Sequence, residues 1–250
     1  MLFLIPHIFT TLNLFCGFYA LVAVLDENYW AASWAILLAM IFDIFDGRIA
    51  RFLGKTSKFG LEYDSLADLV SFGVAPALLI YNFSLKGFGR IGWLAGFLYT
   101  SCVALRLARF NVKSTIPSLS FEGLPSPAGG CILATLVIFL IHLGTTPVYK
   151  NWLLLILVYA LAYLLVSPIQ YPNFKSLKIE KKQTFYLLVF FVLALTVVAS
   201  YPYFSLLSIV SFYVLLGPAL LFIKYSKKLV QRKFKNKKKI SQEKLTKKEF

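Results

Sequence analysis

Four aspartates are the residues of this sequence best suited to chemistry. Asp43 and Asp46 are three positions apart, and Asp64 and Asp68 are four positions apart, within stretches that are otherwise largely apolar. On a helix, either spacing places both side chains on one face. Four carboxylates held close together repel one another strongly unless cations neutralise them. Because hard divalent ions prefer oxygen ligands, we predict a Mg²⁺ or Mn²⁺ site, with Ca²⁺ as an alternative.

Small and basic residues accompany these acids. Gly47 and Ala50 follow the first acidic pair, where their lack of bulk lets a ligand approach the helix backbone. Arg51 lies one residue further on, and a guanidinium beside metal-bound carboxylates suits a phosphate. Ser57 and Gly60 fall in the predicted turn between the two acidic pairs. The pattern therefore favours a ligand that carries phosphate.

The elements that position these residues must be membrane helices. The chain has 250 residues, of which 59% are apolar and 15% are charged, and its mean hydropathy is +0.74. A soluble domain has about 45–50% apolar and about 25% charged residues. The composition excludes an ordinary soluble globule and a disordered chain, and predicts an all-α, polytopic bundle of membrane helices.

Eight apolar segments approach the length of about 20 residues that a helix needs to cross the hydrocarbon core. They run from Ile8 to Leu25, Trp30 to Phe52, Tyr63 to Phe83, Ile91 to Ala108, Ala128 to Gly144, Trp152 to Ser167, Phe185 to Ser200 and Tyr203 to Ile223. We therefore expect about eight transmembrane helices in a membrane domain of residues 1–223. A basic cytoplasmic tail, residues 224–250, follows it.

Basic residues predict the orientation of the bundle. With eight spans, nearly all lysines and arginines fall on the side that holds both termini, the exceptions being Lys86, Arg90 and Lys150. Because positively charged short loops stay inside, we expect both termini and the acids to face the cytoplasm from the inner membrane. The tail carries 12 lysines and arginines but only two glutamates. Its excess positive charge attracts anionic lipid headgroups. It lacks base-stacking aromatics, so we expect no nucleic-acid partner.

The acidic motif identifies a family. The string Asp43-x2-Asp46-Gly47-x2-Ala50-Arg51-x8-Gly60-x3-Asp64-x3-Asp68 resembles the signature of the CDP-alcohol phosphotransferases at all its fixed positions. The segments 71–77, 106–111, 122–127 and 171–174 resemble the phosphatidylserine synthase branch of that family. The resemblance covers most of the chain before the tail.

The resemblance implies an enzyme that transfers a phosphatidyl group from CDP-diacylglycerol to L-serine and releases CMP. Carried onto this sequence, Asp43, Asp46 and Asp64 hold a pair of divalent cations. Asp68 is a further ligand or the general base. A carboxylate within hydrogen-bond reach of the serine hydroxyl can take its proton as the oxygen attacks. The family also implies a homodimer.

The resemblance implies two sets of binding residues. The first span carries Pro6 and Thr10 of a family motif in which His7 stands where the family has asparagine. Arg106 and Arg109 can supply a cation for the serine carboxylate, although positive-inside anchoring is the alternative interpretation. The CDP-lipid contacts are Pro6, Thr10, Gly47, Ala50, Arg51, Ser57 and Gly60, and the serine contacts are Arg106, Arg109, Asn111, Glu122 and Ser126.

Two alternatives stay open at this point. The first alternative is another member of the same family. Its acceptor would be glycerol phosphate or inositol phosphate, or its donor would carry the ether lipids of an archaetidylserine synthase. A phosphorylated acceptor calls for a denser basic pocket than two arginines and Lys113 offer. The second alternative is a different class of protein, a cation transporter in which the four aspartates would be the transport sites.

Overall fold

The structure of the chain is a bundle of membrane helices. The computed structural model describes residues 5–52, 57–113, 121–147, 150–171, 196 and 198–221. Two short strands, β1 (Phe121–Glu122) and β2 (Gln170–Tyr171), pair antiparallel. The helices described are α1 (Ile5–Leu25), α2 (Tyr29–Phe52), α3 (Lys58–Phe88), α4 (Arg90–Lys113), α5 (Ser126–His142), α6 (Trp152–Val166) and α7 (Pro202–Leu221).

The helices confirm a multi-pass membrane protein. Helices α1, α2, α3, α4 and α7 are long and apolar enough to cross a membrane, and α5 and α6 are shorter apolar helices. Large apolar side chains such as Phe15, Phe97 and Leu105 are exposed, as expected of side chains that face lipid. Seven predicted spans coincide with described helices. The remaining predicted span, Phe185 to Ser200, lies mostly outside the described residues.

Small side chains allow α1 and α2 to pack closely. Ala20 and Ala23 of α1 and Ala32, Ala35 and Ala39 of α2 are all buried. In a membrane, lipid competes for apolar contact, so helix association depends on the close approach that small residues permit. This packing holds the first two helices together along most of their length.

Helix α3 begins earlier than the sequence predicts. The prediction placed its start at Tyr63, whereas the helix begins at Lys58 because Ser57 caps it. The backbone N–H of Gly60 donates to Ser57 Oγ at 2.9 Å, which satisfies one of the free donors of the first turn. Gly60 therefore lies inside the helix, and its predicted place in the connecting turn was wrong.

Two π-helical segments interrupt α3, at Leu69–Val74 and at Tyr81–Leu85. Hydrogen bonds from α4 hold the first segment in place. Tyr99 Oη donates to Phe72 O at 3.0 Å, and Thr100 Oγ1 donates to Gly73 O at 3.3 Å. Such segments are frequent at functional sites, and this one directly follows Asp68.

Helices α2 and α3 are antiparallel neighbours, as predicted. At one end of the pair, the Tyr29 ring lies edge-on to the Phe83 ring, with centroids 5.6 Å apart. At the other end, carboxylate oxygens of Asp43 and Asp64 lie within 4.8 Å of each other. The short connection from Phe52 to Lys58 brings the two acidic pairs to the same end of the helices.

Candidate active site

Three of the four predicted aspartates form one cluster. Asp43 from α2 and Asp64 and Asp68 from α3 each offer one carboxylate oxygen, and these oxygens all lie within 4.8 Å of one another. Asp68 is buried, and the other two are half-buried. Like charges this close, largely out of water, repel strongly. The arrangement is stable with the acids ionised only when a cation compensates their charge.

Asp46 completes the acidic set from the side. It is only 4% exposed, and its carboxyl lies within hydrogen-bonding distance of the carboxyl of Asp64. Asp43 and Asp46 are three residues apart on α2, so both point toward α3. The structure therefore brings all four predicted acids to one place, with Asp43, Asp64 and Asp68 as the closest group.

The cluster fits a hard divalent cation. Its donor atoms are all carboxylate oxygens, the ligands that Mg²⁺, Mn²⁺ and Ca²⁺ prefer. Asp64 Oδ1 is buried and accepts no hydrogen bond from any residue that the structure describes. A bound cation would satisfy this oxygen. Asp43, Asp64 and Asp68 are thus the residues of the described chain that can hold a metal ion together.

A fifth polar residue, Asn13 of α1, contacts the cluster. Asn13 is fully buried, and its Nδ2 donates to Asp68 Oδ1 at 3.0 Å. Sequence analysis missed this residue. The available signal was an amide in the middle of an apolar span, because a polar group is costly there and seldom occurs without a partner.

The start of α1 lies against both α2 and α3. The centroids of the Phe9 and Phe45 rings are 5.8 Å apart, and Thr11 Oγ1 lies 3.0 Å from Tyr63 Oη. A Cβ atom added to Gly60 would lie 2.9 Å from His7 Cε1, so the His7 ring packs against the backbone at Gly60. The beginning of α1 therefore reaches the first turn of α3.

The residues predicted to contact the CDP-lipid lie along this junction. Thr10 is buried and donates to Pro6 O at 3.1 Å, and Ser57 and Gly60 form the first turn of α3. Gly47 follows Asp46 on α2. The side chains of Ala50 and Arg51 lie outside what the structure describes, although the backbone places both on α2.

Two residues of the predicted serine site form a buried pair. Arg106 of α4 is 9% exposed, Ser126 at the start of α5 is fully buried, and Arg106 Nη1 donates to Ser126 Oγ at 2.8 Å. Arg106 Nε is buried without a hydrogen-bond partner in the described part of the chain. Asp68 and Asp43 attract the guanidinium electrostatically, with no ion pair between them among the described residues. A buried cation thus lies within electrostatic range of the acidic cluster.

The other predicted serine contacts have different surroundings. Arg109 Nη1 donates to Val166 O, at the end of α6, at 3.0 Å. Asn111 bridges to α3, where its Nδ2 donates to Glu62 Oε2 at 2.9 Å and its Oδ1 accepts from Ser65 Oγ at 3.1 Å. Glu122 lies in β1, and its side chain is outside the described set. Within this predicted set, Arg106 and Ser126 are joined by a described hydrogen bond.

These features define a class: a multi-pass helical membrane protein with a carboxylate cluster that could hold a metal ion at one end of an antiparallel helix pair. The sequence model of the CDP-alcohol phosphatidyltransferase family matches residues 3–162, which is more than half of the chain. The chain therefore belongs to this family. The resemblance read from the aspartate motif is confirmed, and with it the prediction of an enzyme.

Named relatives within the family are similar over most of their length. A CDP-diacylglycerol–serine O-phosphatidyltransferase of Helicobacter pylori (strain ATCC 700392 / 26695) is 37% identical over 195 residues, 76% of this chain and 80% of the relative. A protein of the same name from Bacillus subtilis (strain 168) is 39% identical over 173 residues, 69% of this chain and 92% of the relative. An archaetidylserine synthase of Methanothermobacter thermautotrophicus is 35% identical over 171 residues, 68% of this chain and 70% of the relative.

Proposed function

We propose that this protein transfers the phosphatidyl group of CDP-diacylglycerol to the hydroxyl of L-serine and releases CMP. The observation that carries the proposal is the buried cation of Arg106 within electrostatic range of Asp68 and Asp43 in the acidic cluster. An acceptor bound there would have its carboxylate at the guanidinium and its hydroxyl at the acids. The names of the relatives from H. pylori and B. subtilis support serine as that acceptor.

The acids have two roles in this proposal. Asp43, Asp46 and Asp64 would hold two divalent cations, Mg²⁺ or Mn²⁺ with Ca²⁺ as an alternative, and Asp68 would be either a further ligand or the general base. When bound, the cations supply charge stabilisation to the pyrophosphate and to the departing CMP. The half-buried position of the cluster, between the buried interior and the helix ends, suits a substrate that has a lipid part and a water-soluble part.

Asp68 is the proposed general base. Its carboxylate takes the proton of the serine hydroxyl as that oxygen attacks the phosphorus that carries the diacylglycerol. A new oxygen–phosphorus bond forms, and the bond from that phosphorus to the CMP oxygen breaks with its electron pair on CMP. The hydrogen bond from Asn13 keeps Asp68 oriented, leaving its second oxygen for the hydroxyl.

The donor and the acceptor occupy different sides of the cluster. The cytidine diphosphate is proposed to bind near the start of α1, which carries Thr10, and the first turn of α3, which Ser57 caps. Arg106 and Ser126, on α4 and α5, are proposed to bind serine. The full proposed sets are Pro6, Thr10, Gly47, Ala50, Arg51, Ser57 and Gly60 for the CDP-lipid, and Arg106, Arg109, Asn111, Glu122 and Ser126 for serine.

The proposal includes location and assembly. The enzyme lies in the inner membrane, with both termini and the acidic cluster toward the cytoplasm, because short basic loops stay on that side. Residues 1–223 form the membrane domain, and residues 224–250 form a basic tail that attracts anionic lipid. A homodimer is the proposed assembly.

A reconstitution assay tests this function. Purified protein is given CDP-diacylglycerol, labelled L-serine and Mg²⁺ or Mn²⁺, and CMP release and the lipid product are measured together. The expected result is equal amounts of CMP and labelled phosphatidylserine, both lost with a chelator. CMP release that requires glycerol 3-phosphate or inositol phosphate instead of serine would contradict the proposal. Cation flux into sealed vesicles without CMP release would favour the transporter.

An ether-linked donor is the second candidate, because a relative named archaetidylserine synthase is 35% identical. The same assay with CDP-archaeol in place of CDP-diacylglycerol compares the two donors directly. A higher kcat/KM for CDP-archaeol would assign the chain to the ether-lipid branch without changing the acceptor.

A further inference from the structure

One buried polar atom next to the acidic cluster, Asn13 Oδ1, has no role in the proposed mechanism. The Asn13 side chain is fully buried, and its Nδ2 is already used by Asp68. Its Oδ1 is also buried and has no hydrogen-bond partner among the described residues. Buried amide oxygens are normally paired, so an unpaired one beside a reactive carboxylate indicates a donor that arrives with a ligand.

The backbone holds Asn13 firmly in this position. Ser71 Oγ, in the π-helical segment of α3, donates to Asn13 O at 2.9 Å. A Cβ atom on Gly17 would overlap Ser71 Oγ, so glycine at this position allows α1 and α3 to touch. The backbone at Asn13 is therefore held against α3 independently of the side-chain contact with Asp68.

The covalent geometry of the Asn13 amide limits which ligand groups can reach its Oδ1 atom. The nitrogen and the oxygen of one amide are about 2.3 Å apart, so Asn13 Oδ1 lies close to the carboxyl that Asn13 Nδ2 contacts. In serine, the ammonium and the hydroxyl are on adjacent carbons and about 3 Å apart in a gauche rotamer. A hydroxyl placed at Asp68 therefore brings the ammonium close to Asn13 Oδ1.

We propose that Asn13 determines acceptor specificity: its amide nitrogen positions Asp68, and its amide oxygen accepts a hydrogen bond from the ammonium of the amino alcohol. With Arg106 at the carboxylate, the site then recognises both charged groups of the acceptor. This inference rests on the proposed function and adds the residue that would distinguish an amino alcohol from a hydroxy acid.

The test compares two ligands that differ only in the ammonium. L-Serine has it, and 3-hydroxypropionate keeps the hydroxyl and the carboxylate but lacks it. The Asn13→Ala variant should raise the KM for serine about tenfold or more, with the inhibition constant of 3-hydroxypropionate changed less than about twofold. Equilibrium binding of labelled serine in the presence of CDP and Mg²⁺ should weaken by the same factor as KM. An equal change for both ligands, or no change for either, would overturn the inference.

Two controls separate recognition from packing. Ser71→Ala removes the hydrogen bond to the Asn13 backbone and leaves the amide, so it should not alter the ratio of the two constants. Asn82→Ala removes an amide that donates to Leu78 O, about four turns along α3 from Asp68, and it should likewise leave the ratio of the two constants unchanged. If Asn13→Ala does not fold, Asn13→Ser should give the same split between ligands. A Ser71→Ala variant that reproduces the split would assign the effect to packing and refute the inference.

The activity of the wild-type protein distinguishes failure of the Asn13 inference from failure of the proposed function. If wild-type protein releases no CMP with serine, the proposed function is wrong. If it does, and the Asn13 variants keep the wild-type ratio of the two constants, only the assignment of Asn13 is wrong.

Discussion

The two ends of the antiparallel pair α2 and α3 are built in opposite ways. At the end marked by Tyr29 and Phe83, a half-buried tyrosine ring lies edge-on to a phenylalanine ring that is 1% exposed. At the other end, the same helices bring together Asp43, Asp64 and Asp68. We call these the apolar end and the acidic end. One end stabilises the pair, so that the other can hold charges that would otherwise push the helices apart.

Unpaired polar atoms also distinguish the two ends. Asp64 Oδ1, Asn13 Oδ1 and Arg106 Nε, all at or near the acidic end, are buried and unpaired within the described residues. A buried polar group without a partner costs about 1–3 kcal/mol, so a set of them at one place indicates ligands that supply the missing partners. Ser84 Oγ is one unpaired atom near the apolar end. The structure offers no explanation for it.

Loss of the cation should give the largest effect on activity. We expect a chelator, or Asp64→Asn, to reduce kcat/KM by at least about 10³-fold, because the donor pyrophosphate loses its charge stabilisation. CMP release measured before and after Mn²⁺ is restored checks this. Asn82→Ala, toward the apolar end of α3, should retain wild-type activity. Full activity in the chelator would refute the metal role.

Loss of the general base should come next. Asp68→Asn should lower kcat by about 10²- to 10⁴-fold, because no carboxylate remains to take the serine proton. The KM for CDP-diacylglycerol should change little, since the donor is held mainly by other residues. Steady-state kinetics with both substrates varied provides the measurement. Robust product from Asp68→Asn would remove Asp68 from the base role.

The buried arginine should give a smaller and more selective effect. Arg106→Ala should raise the KM for serine by about 10- to 100-fold, because the substrate carboxylate loses a charged hydrogen-bond donor. Arg109→Ala is the comparison variant: Arg109 also belongs to the proposed serine set, but it donates to Val166 O, so we expect a smaller increase. If Arg109→Ala raises the serine KM as much as Arg106→Ala does, both arginines bind the acceptor. Equal increases in the KM for both substrates with Arg106→Ala would favour the anchoring role.

The apolar end should affect stability and hardly affect catalysis. Phe83→Ala should destabilise the fold by about 3–5 kcal/mol, through loss of a fully buried ring and the cavity that it leaves. The measurement is the Tm in detergent, beside kcat at a temperature where the variant is folded. We expect kcat within about threefold of wild type. A loss of kcat comparable to that of Asp68→Asn would abolish the distinction between the two ends.

The sequence predicted the parts of the molecule that depend on spacing and length. Apolar stretches of about 20 residues predicted the helices, and the i,i+3 and i,i+4 spacings predicted that the acids share faces. The short connection after Phe52 predicted that α2 and α3 are antiparallel. These features are local, so one chain is enough to infer them.

The sequence did not predict features that depend on which helices become neighbours. Asn13 meets Asp68 across 55 positions, and Arg106 meets Ser126 across 20. Periodicity gives the face of each helix but not the partner of that face. It likewise gave no reason to prefer Arg106 over Arg109, since both lie at the same end of α4 and only tertiary packing buries the first.

The central claim is that α2 and α3 present their acids to one shared cation site. Binding of Mn²⁺ to the purified full-length protein, followed by electron paramagnetic resonance, tests it most directly. We expect saturable Mn²⁺ binding in the wild type, strongly weakened by Asp43→Asn and by Asp64→Asn, with little further loss in the double variant. Wild-type Mn²⁺ binding in either single variant would contradict it.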